Sequence, residues 1–459
     1  DLARFAESDG YENDALRPNA WRYRDWVIAA VNRDLPFDRF TIEQLAGDLL
    51  PDSTIEQKTA AGFHRNTLWN SAASADKEEF RTFAIKDRTD TTGVAWMGLT
   101  LGCAQCHSHK YDPIAHREYY QLYSFFNRTD NTDVKLDGKN EVNSIKAVAR
   151  KTNVHTRGSF LQPGDEVAPV TPAFLPQLKA RGDSADRLDL ARWLVDPAHP
   201  LTARVAVNRF WMHMFGTGLV NTPENFGTNG ARPTNPELLD WLASEFIRLG
   251  WSRKAMIRTI LMSSTYRQLS RGSDGQSRFR VEAEVVRDSA LSVAGLLSTQ
   301  LGGPSIVPPF PDGLLEQKFT NEALKMPTGD RHRRGIYIHV QRTLPHPTLA
   351  VFDGADGNQP CPRRDRSVTP LQALTLLNDP VFMECARALG SRIRSHTNSD
   401  DERIRFGFEL CLSRPPTAAE LAIMVDLIAT QKKLGAKDEA TWIGVARVLL
   451  NLEEFTTRE

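Results

Sequence analysis

Cysteine is scarce in this chain. Five in 459 residues, an odd number scattered along the length, do not make a disulfide framework. Long apolar runs are missing too: none approaches the ~18 residues of a membrane span, and mean hydropathy is −0.41. No sign of charge prevails, because 57 basic residues meet 57 acidic ones for a formal net charge of 0. That balance speaks against a chain-wide nucleic-acid or polybasic membrane footprint, and no nucleic-acid partner is expected. There is no Walker A loop, GxGxxG fingerprint, HExxH or GxSxG, which disfavours nucleotide-dependent, zinc-protease and common serine-hydrolase chemistry. The chain opens at Asp1 with neither Met nor a signal-peptide pattern. It is therefore expected to be a processed or partial chain.

What remains is an ordinary globular composition, 41% hydrophobic and 25% charged. At ~150 residues per domain, two or three domains are expected. Most segments read as helices. The apolar and aromatic residues of Trp21–Val31 recur at helical spacing, and Pro36 breaks the pattern. Phe37–Leu45 and Ile55–Phe63 follow, then a longer stretch from Glu78 toward Cys106 weakened by Gly93, Gly98 and Gly102. Later helices carry clear start signals: Asn235-Pro236, Thr369-Pro370, and Thr417 with Glu420 as a capping box. Gly335–Val340 is the best strand candidate. The expected fold class is mainly α, with two helical domains and little strand. Residues 1–135 form the first domain, 136–175 an irregular linker marked by Asp137-Gly138 and Pro163-Gly164, and 176–459 a mainly helical partner domain.

Two of the five cysteines sit in Cys103-Ala104-Gln105-Cys106-His107. This is the attachment signature of c-type haem. Thiols three residues apart lie on one side of a helical turn, and the following His falls beneath the iron as an axial ligand. A zinc pair needs two further ligands, yet the other cysteines are isolated. A thioredoxin-like dithiol needs a βαβ setting that the pattern does not offer. Haem c with its iron is thus the expected cofactor, held by Cys103, Cys106 and His107 in the first domain. For the opposite iron face His64 is the leading candidate, with His116, Met212, His213, Met214 or an open position as alternatives. His109 follows the motif and is a candidate for a hydrogen bond near the iron ligand or to a propionate, as are Lys110 and Asp112.

At these residues the chain resembles a family. Trp21-Arg22-Tyr23-Arg24-Asp25-Trp26, Gln44-Leu45-Ala46-Gly47-Asp48-Leu49-Leu50-Pro51, Gly62-Phe63-His64-Arg65-Asn66 and the run from Gly98 through Cys106 to Ile114 resemble the planctomycete cytochrome-associated domain. Val207-Asn208-Arg209-Phe210-Trp211, Phe215-Gly216-Thr217-Gly218 and Ser264-Thr265-Tyr266-Arg267-Gln268 resemble its usual C-terminal partner domain. Both are domains of unknown function. The resemblance implies a periplasmic or secreted protein with a c-type haem, and a gene neighbourhood associated with polysaccharide metabolism.

Several motifs of the second part have plainer readings. Arg204, Asn208 and Trp211 share a helix face, suited to a glycan pocket or to a buried polar network. Asp353, Asp356 and Asn358 do not match an EF-hand, so calcium is disfavoured. Cys361 stands beside three arginines with no partner base in view. The expected function is an extracytoplasmic c-type haem protein performing electron transfer or haem-dependent oxidoreduction, with a redox partner protein and a glycan as a candidate substrate. The alternative is a glycan-binding or assembly scaffold with a structural haem.

Overall fold

A computed structural model describes residues 1–136, 140–268, 278–310 and 330–458. The expected Asp137-Gly138 turn lies outside the described residues. The fold is mainly α: about half of it is helical, with little strand. The chain divides into two compact units. One comprises residues 1–277, 340–343 and 356–363; the other takes 278–339, 344–355 and 364–459.

In the first unit, α1 (Trp21–Asn32), α2 (Phe37–Ala46), α3 (Ile55–Ala60), α4 (Lys77–Thr92) and α5 (His116–Asn127) pack their aromatic faces together. Tyr23, Trp26, Phe63, Trp96, Tyr119, Phe125 and Phe126 are all buried in one cluster. Asp76 caps α4 by accepting from the backbone N–H of Glu78 and Glu79.

The segment expected to be an irregular linker is partly extended. β1 (Thr129–Lys135) pairs antiparallel with β2 (Glu141–Ala147), Thr129 opposite Ala147 and Lys135 opposite Glu141. β3 (Thr152–His155) pairs with β4 (Pro163–Val167) across a bulge. These strands are polar on one face, with Val142 and Ile145 among the few apolar residues turned inward, so their sequence reads as loop.

Four further helices belong to the same unit: α6 (Arg187–Leu194), α7 (Thr202–Phe215), α8 (Pro236–Arg248) and α9 (Arg253–Leu261). The Asn235 side chain accepts from the Leu238 N–H at 3.0 Å and starts α8. Leu239, Leu242 and Phe246 then form its buried stripe. The division between units falls near residue 277: Leu188, Leu190 and Trp193 of α6 share the core of the N-terminal helices, while α7–α9 build a second cluster of the same unit that Phe37 of α2 joins.

The second unit contains the short strand β5 (Phe279–Arg280), α10 (Ala283–Ala294), α11 (Pro347–Val351), α12 (Pro370–Asn378), α13 (Pro380–Arg394), α14 (Asp400–Leu412), α15 (Ala418–Lys433), α16 (Asp438–Leu450), α17 (Glu453–Thr456) and β6 (Thr457–Arg458). Its core is built around Phe382, Leu389, Phe408, Trp442 and Leu449. Thr417 and Glu420 form the expected capping box on α15, as do Thr369 and Gln372 on α12. The expected strand at 335–340 is instead a 3-10 turn over Gly335–Tyr337 with one isolated bridge, Ile306 to Ile338.

Candidate functional site

The long helix expected to reach Cys106 stops at Thr92. A wider π-type turn, Gly93–Met97, follows, and Gly98 at φ 60° reverses the backbone. The chain then enters a 3-10 turn, Leu101–Gln105, with Cys106 as its C-cap. Residues three apart eclipse in such a turn. Leu101 and Ala104 form the inward pair and are buried. Cys103 and Cys106 form the outward pair, both exposed free thiols.

His107 is exposed, and its Nδ1 lies 2.7 Å from the Ser108 carbonyl oxygen. A carbonyl only accepts, so Nδ1 carries the proton and the lone pair sits on Nε2. His109 is the opposite tautomer. Its Nδ1 accepts from the backbone N–H of Asp112 at 2.8 Å and of Tyr111 at 3.3 Å, which places the proton on the buried Nε2. His109 therefore braces the turn through its side chain. Asp112 extends that brace, since its Oδ1 accepts from the Thr228 N–H at 2.6 Å.

A polar and aromatic layer supports the cysteine turn from α4, α5 and β3. Gln105 donates through Nε2 to Asp90 Oδ2 at 2.6 Å, and the Tyr120 hydroxyl donates to the Gln105 carbonyl at 2.9 Å. His116 faces the Ala104 carbonyl at 2.9 Å through Nδ1. The His155 ring packs on Tyr120 and Tyr123, with centroids 4.8 and 5.5 Å away. Lys86 donates to the Gly158 carbonyl at 2.8 Å. A Cβ on Gly158, whose φ is +77°, would lie 2.7 Å from the Cys106 sulfur.

Burial sets the protonation of this layer. It pushes the Asp90 carboxyl up to about 7; Asp87 adds to the rise, while Tyr119, Gln105 and Lys86 oppose it. It pulls His155 down to about 4, and Lys86 works in the same direction. Lys86 itself is lowered by burial. Sequence reasoning missed Asp90, Lys86, His155 and Tyr120; the one local signal was an acid, Asp90, on the buried side of a threonine-rich helix.

His64 has a different setting. It is fully buried, with Nε2 3.0 Å from the Leu45 carbonyl oxygen and its ring against Phe63 and Phe126. Burial, then Arg187 and Arg88, holds it well below the usual histidine range. The structure thus brings Cys103, Cys106 and His107 together on one exposed turn, while His64 is a neutral core histidine whose Nε2 is already engaged. Among the described residues no group of three or more His, Cys, Asp and Glu side chains converges as for a metal ion.

The other motifs resolve into structural roles. Asn208 clamps the Val220 backbone, donating to its carbonyl at 3.0 Å and accepting from its N–H at 2.8 Å. Arg204 pairs with Asp240, and Trp211 stacks on Phe215. Asp353 pairs with Arg280 and accepts from Ser367, while Asp356 accepts from Asn358 within its turn. Burial pushes the Cys385 and Cys411 thiols up to about 12, as suits inert core cysteines.

The fold and the turn define a two-unit, mainly helical protein with an exposed Cys-x-x-Cys-His segment. The chain belongs to the PSD1 family, described as a protein of unknown function (DUF1553), which matches residues 186–428. Residues 1–131 match PSCyt2, also a protein of unknown function (DUF1549), and this pairing is typical of planctomycete proteins. No curated protein and no solved structure matches. No helix among the described residues is long and apolar enough to cross a membrane.

Proposed function

We propose that this protein is an extracytoplasmic c-type haem protein that transfers electrons to or from a partner protein, with oxidation of a glycan as the substrate chemistry to test first. One observation carries the reading. Cys103 and Cys106 present both thiols on one exposed edge of a single turn, directly before a histidine whose Nδ1 is tied to a carbonyl and whose Nε2 holds the lone pair. That donor set fits a porphyrin: two sulfurs for the vinyl groups, then an imidazole nitrogen for the iron.

In this reading Cys103 and Cys106 would hold the macrocycle through their sulfurs, and His107 would hold the iron. Bound haem would supply one-electron redox chemistry. The chain's own part is to fix the turn, through Leu101 and Ala104 below it and Gln105 beside it, and to orient the His107 ring through Ser108. His64, with Nε2 engaged by the Leu45 carbonyl, would not hold the iron from its present position. The location outside the cytoplasm and the link to polysaccharides rest on the family resemblance.

The test is to express the full chain together with a cytochrome c maturation system and record a pyridine haemochrome spectrum on denatured, washed protein. The reading predicts haem that stays with the chain and disappears in Cys103→Ala/Cys106→Ala. Chain matured under these conditions without covalent haem overturns it.

A further inference from the structure

Gln105 lies between the two anchoring cysteines, and it is held from both ends. Its side chain donates to Asp90 at 2.6 Å, and its carbonyl accepts from Tyr120 at 2.9 Å. The same Asp90 oxygen backs onto Gly102, where a Cβ would stand only 3.2 Å away. Asp90 therefore bonds the residue before Cys106 and leaves room only for glycine's hydrogen at the residue before Cys103. It sits on the last turn of α4, which is anchored independently: Thr89 and Thr92 bond back to the carbonyls of Ile85 and Arg88.

We propose that Asp90 is a positioning residue for the thiol pair: by gripping Gln105 and closing on Gly102, it fixes the turn so that the sulfurs of Cys103 and Cys106 face outward at a constant separation. The proposal rests on the reading that these sulfurs anchor a porphyrin, and it deepens that reading. Two thioether bonds to one rigid ring require both sulfurs in register together. A surface turn with two exposed side chains does not hold such a register by itself, and neighbouring hydrogen bonds must supply it.

A carboxyl suits the task for a physical reason. Burying an acid is costly unless its oxygens are used. Here the Gln105 amide makes that use of one oxygen, Oδ2. An apolar residue at position 90 would pack as well but could not grip Gln105. An asparagine keeps an acceptor oxygen for the Gln105 amide and removes only the ionisable group.

The test uses the full chain and three variants, Asp90→Asn, Asp90→Ala and Gln105→Ala. In haem-free protein, the alkylation rates of Cys103 and Cys106 by iodoacetamide are read separately from peptide masses. In protein matured with the haem-attachment system, the fraction carrying one thioether instead of two is read by mass. Asp90→Ala and Gln105→Ala should shift the ratio of the two thiol rates by about five- to tenfold, the weight of one hydrogen bond, and raise the singly attached fraction. Asp90→Asn should restore both readouts to the parent's values. Alanine variants that stay folded and keep the parent's ratio overturn the proposal, as does an Asp90→Asn variant as disturbed as Asp90→Ala. If Asp90→Ala does not fold, Gln105→Ala, at the surface end of the contact, decides alone. A parent that takes up no haem sinks the functional reading, while the thiol ratio still judges the role of Asp90.

Discussion

Arg209, on α7, reaches into the π-type turn that precedes the cysteine segment, donating to the Val94 carbonyl at 2.6 Å and to the carbonyl of Ala95. Burial lowers its guanidinium to about 10, yet its hydrogen bonds go to carbonyls. One turn later Phe226 N–H donates to the Gly98 carbonyl at 2.7 Å, and Thr228 N–H to Asp112. Three residues of the PSD1 stretch thus hold backbone and side chain of the PSCyt2 stretch on both sides of Cys103–Cys106.

The first prediction follows from these ties. Arg209→Leu leaves buried carbonyls without donors, and each such loss costs on the order of 1–3 kcal/mol. Denaturant unfolding of the full chain should show a loss of about 2–4 kcal/mol. Residues 1–131 made alone should lack a cooperative transition, since the ties to α7 and to residues 226–228 are missing. A cooperative transition in that fragment would show that the PSCyt2 stretch is self-sufficient.

Stability should depend on pH with two opposing contributions. His155, His199 and His346 are each lowered to about 4 by burial. Their unfolded forms titrate near 6.5, so between about 4 and 6.5 the unfolded chain binds more protons, and stability falls as pH drops through that window. Asp90 acts the other way. Its folded value of about 7 lies above the 3.8 of an ordinary aspartate, so the folded chain binds the extra proton and stability falls as pH rises from about 4 to 7. With His64, which burial also lowers, four histidines outnumber the three acids that burial raises, Asp90, Asp288 and Asp379, and the parent should gain stability from pH 4 to 6.5. Asp90→Asn removes one opposing contribution, so its gain over that range should be steeper. Chemical denaturation at a series of pH values reads both slopes; equal slopes would contradict a buried, protonated Asp90.

Helix starts were the most legible part of the fold. Asn235-Pro236, Thr369-Pro370 and Thr417 with Glu420 each announce themselves locally, because a cap is made by residues three apart. The cysteine turn was legible for the same reason: its chemistry lies within five consecutive residues. The two hairpins between residues 129 and 167 were not, because their strands are mostly polar and their partners are set by pairing across a loop. The brace behind the cysteines escaped as well. Asp90 meets Gln105 from 15 positions away, and no period or motif joins them. His64 shows the converse limit. A histidine in a Gly-Phe-His-Arg-Asn context reads as available, but only the fold reveals that Leu45 engages Nε2 and that the ring is enclosed by Phe63 and Phe126.

His64→Gln tests that enclosure. If the imidazole serves the core, substitution should cost about 1–3 kcal/mol, as loss of a buried hydrogen-bonded group does, and leave the spectrum of covalently bound haem unchanged. A shifted spectrum in a folded variant would mean that His64 leaves the core to bind iron.

Gly227 and Gly158 test the two flanks of the cysteine segment separately. A Cβ on Gly227 would lie 2.4 Å from both Asp112 oxygens, so Gly227→Ala must displace the carboxylate that accepts from Thr228. Its effect should appear in stability, about 1–3 kcal/mol by denaturation, with both thiols still open to alkylation. Gly158→Ala is different. Its φ of +77° is poorly tolerated by alanine, and the new methyl would stand 2.7 Å from the Cys106 sulfur. The contact is with the thiol itself, so the loss should fall on Cys106: slower alkylation than Cys103, and less doubly attached haem after maturation. Paired measurements on the two variants separate the roles. A Gly158→Ala protein whose Cys106 reacts at the parent's rate would show that the 156–160 segment does not crowd the sulfur, and that Lys86, bonded to the Gly158 carbonyl, holds that segment for stability alone.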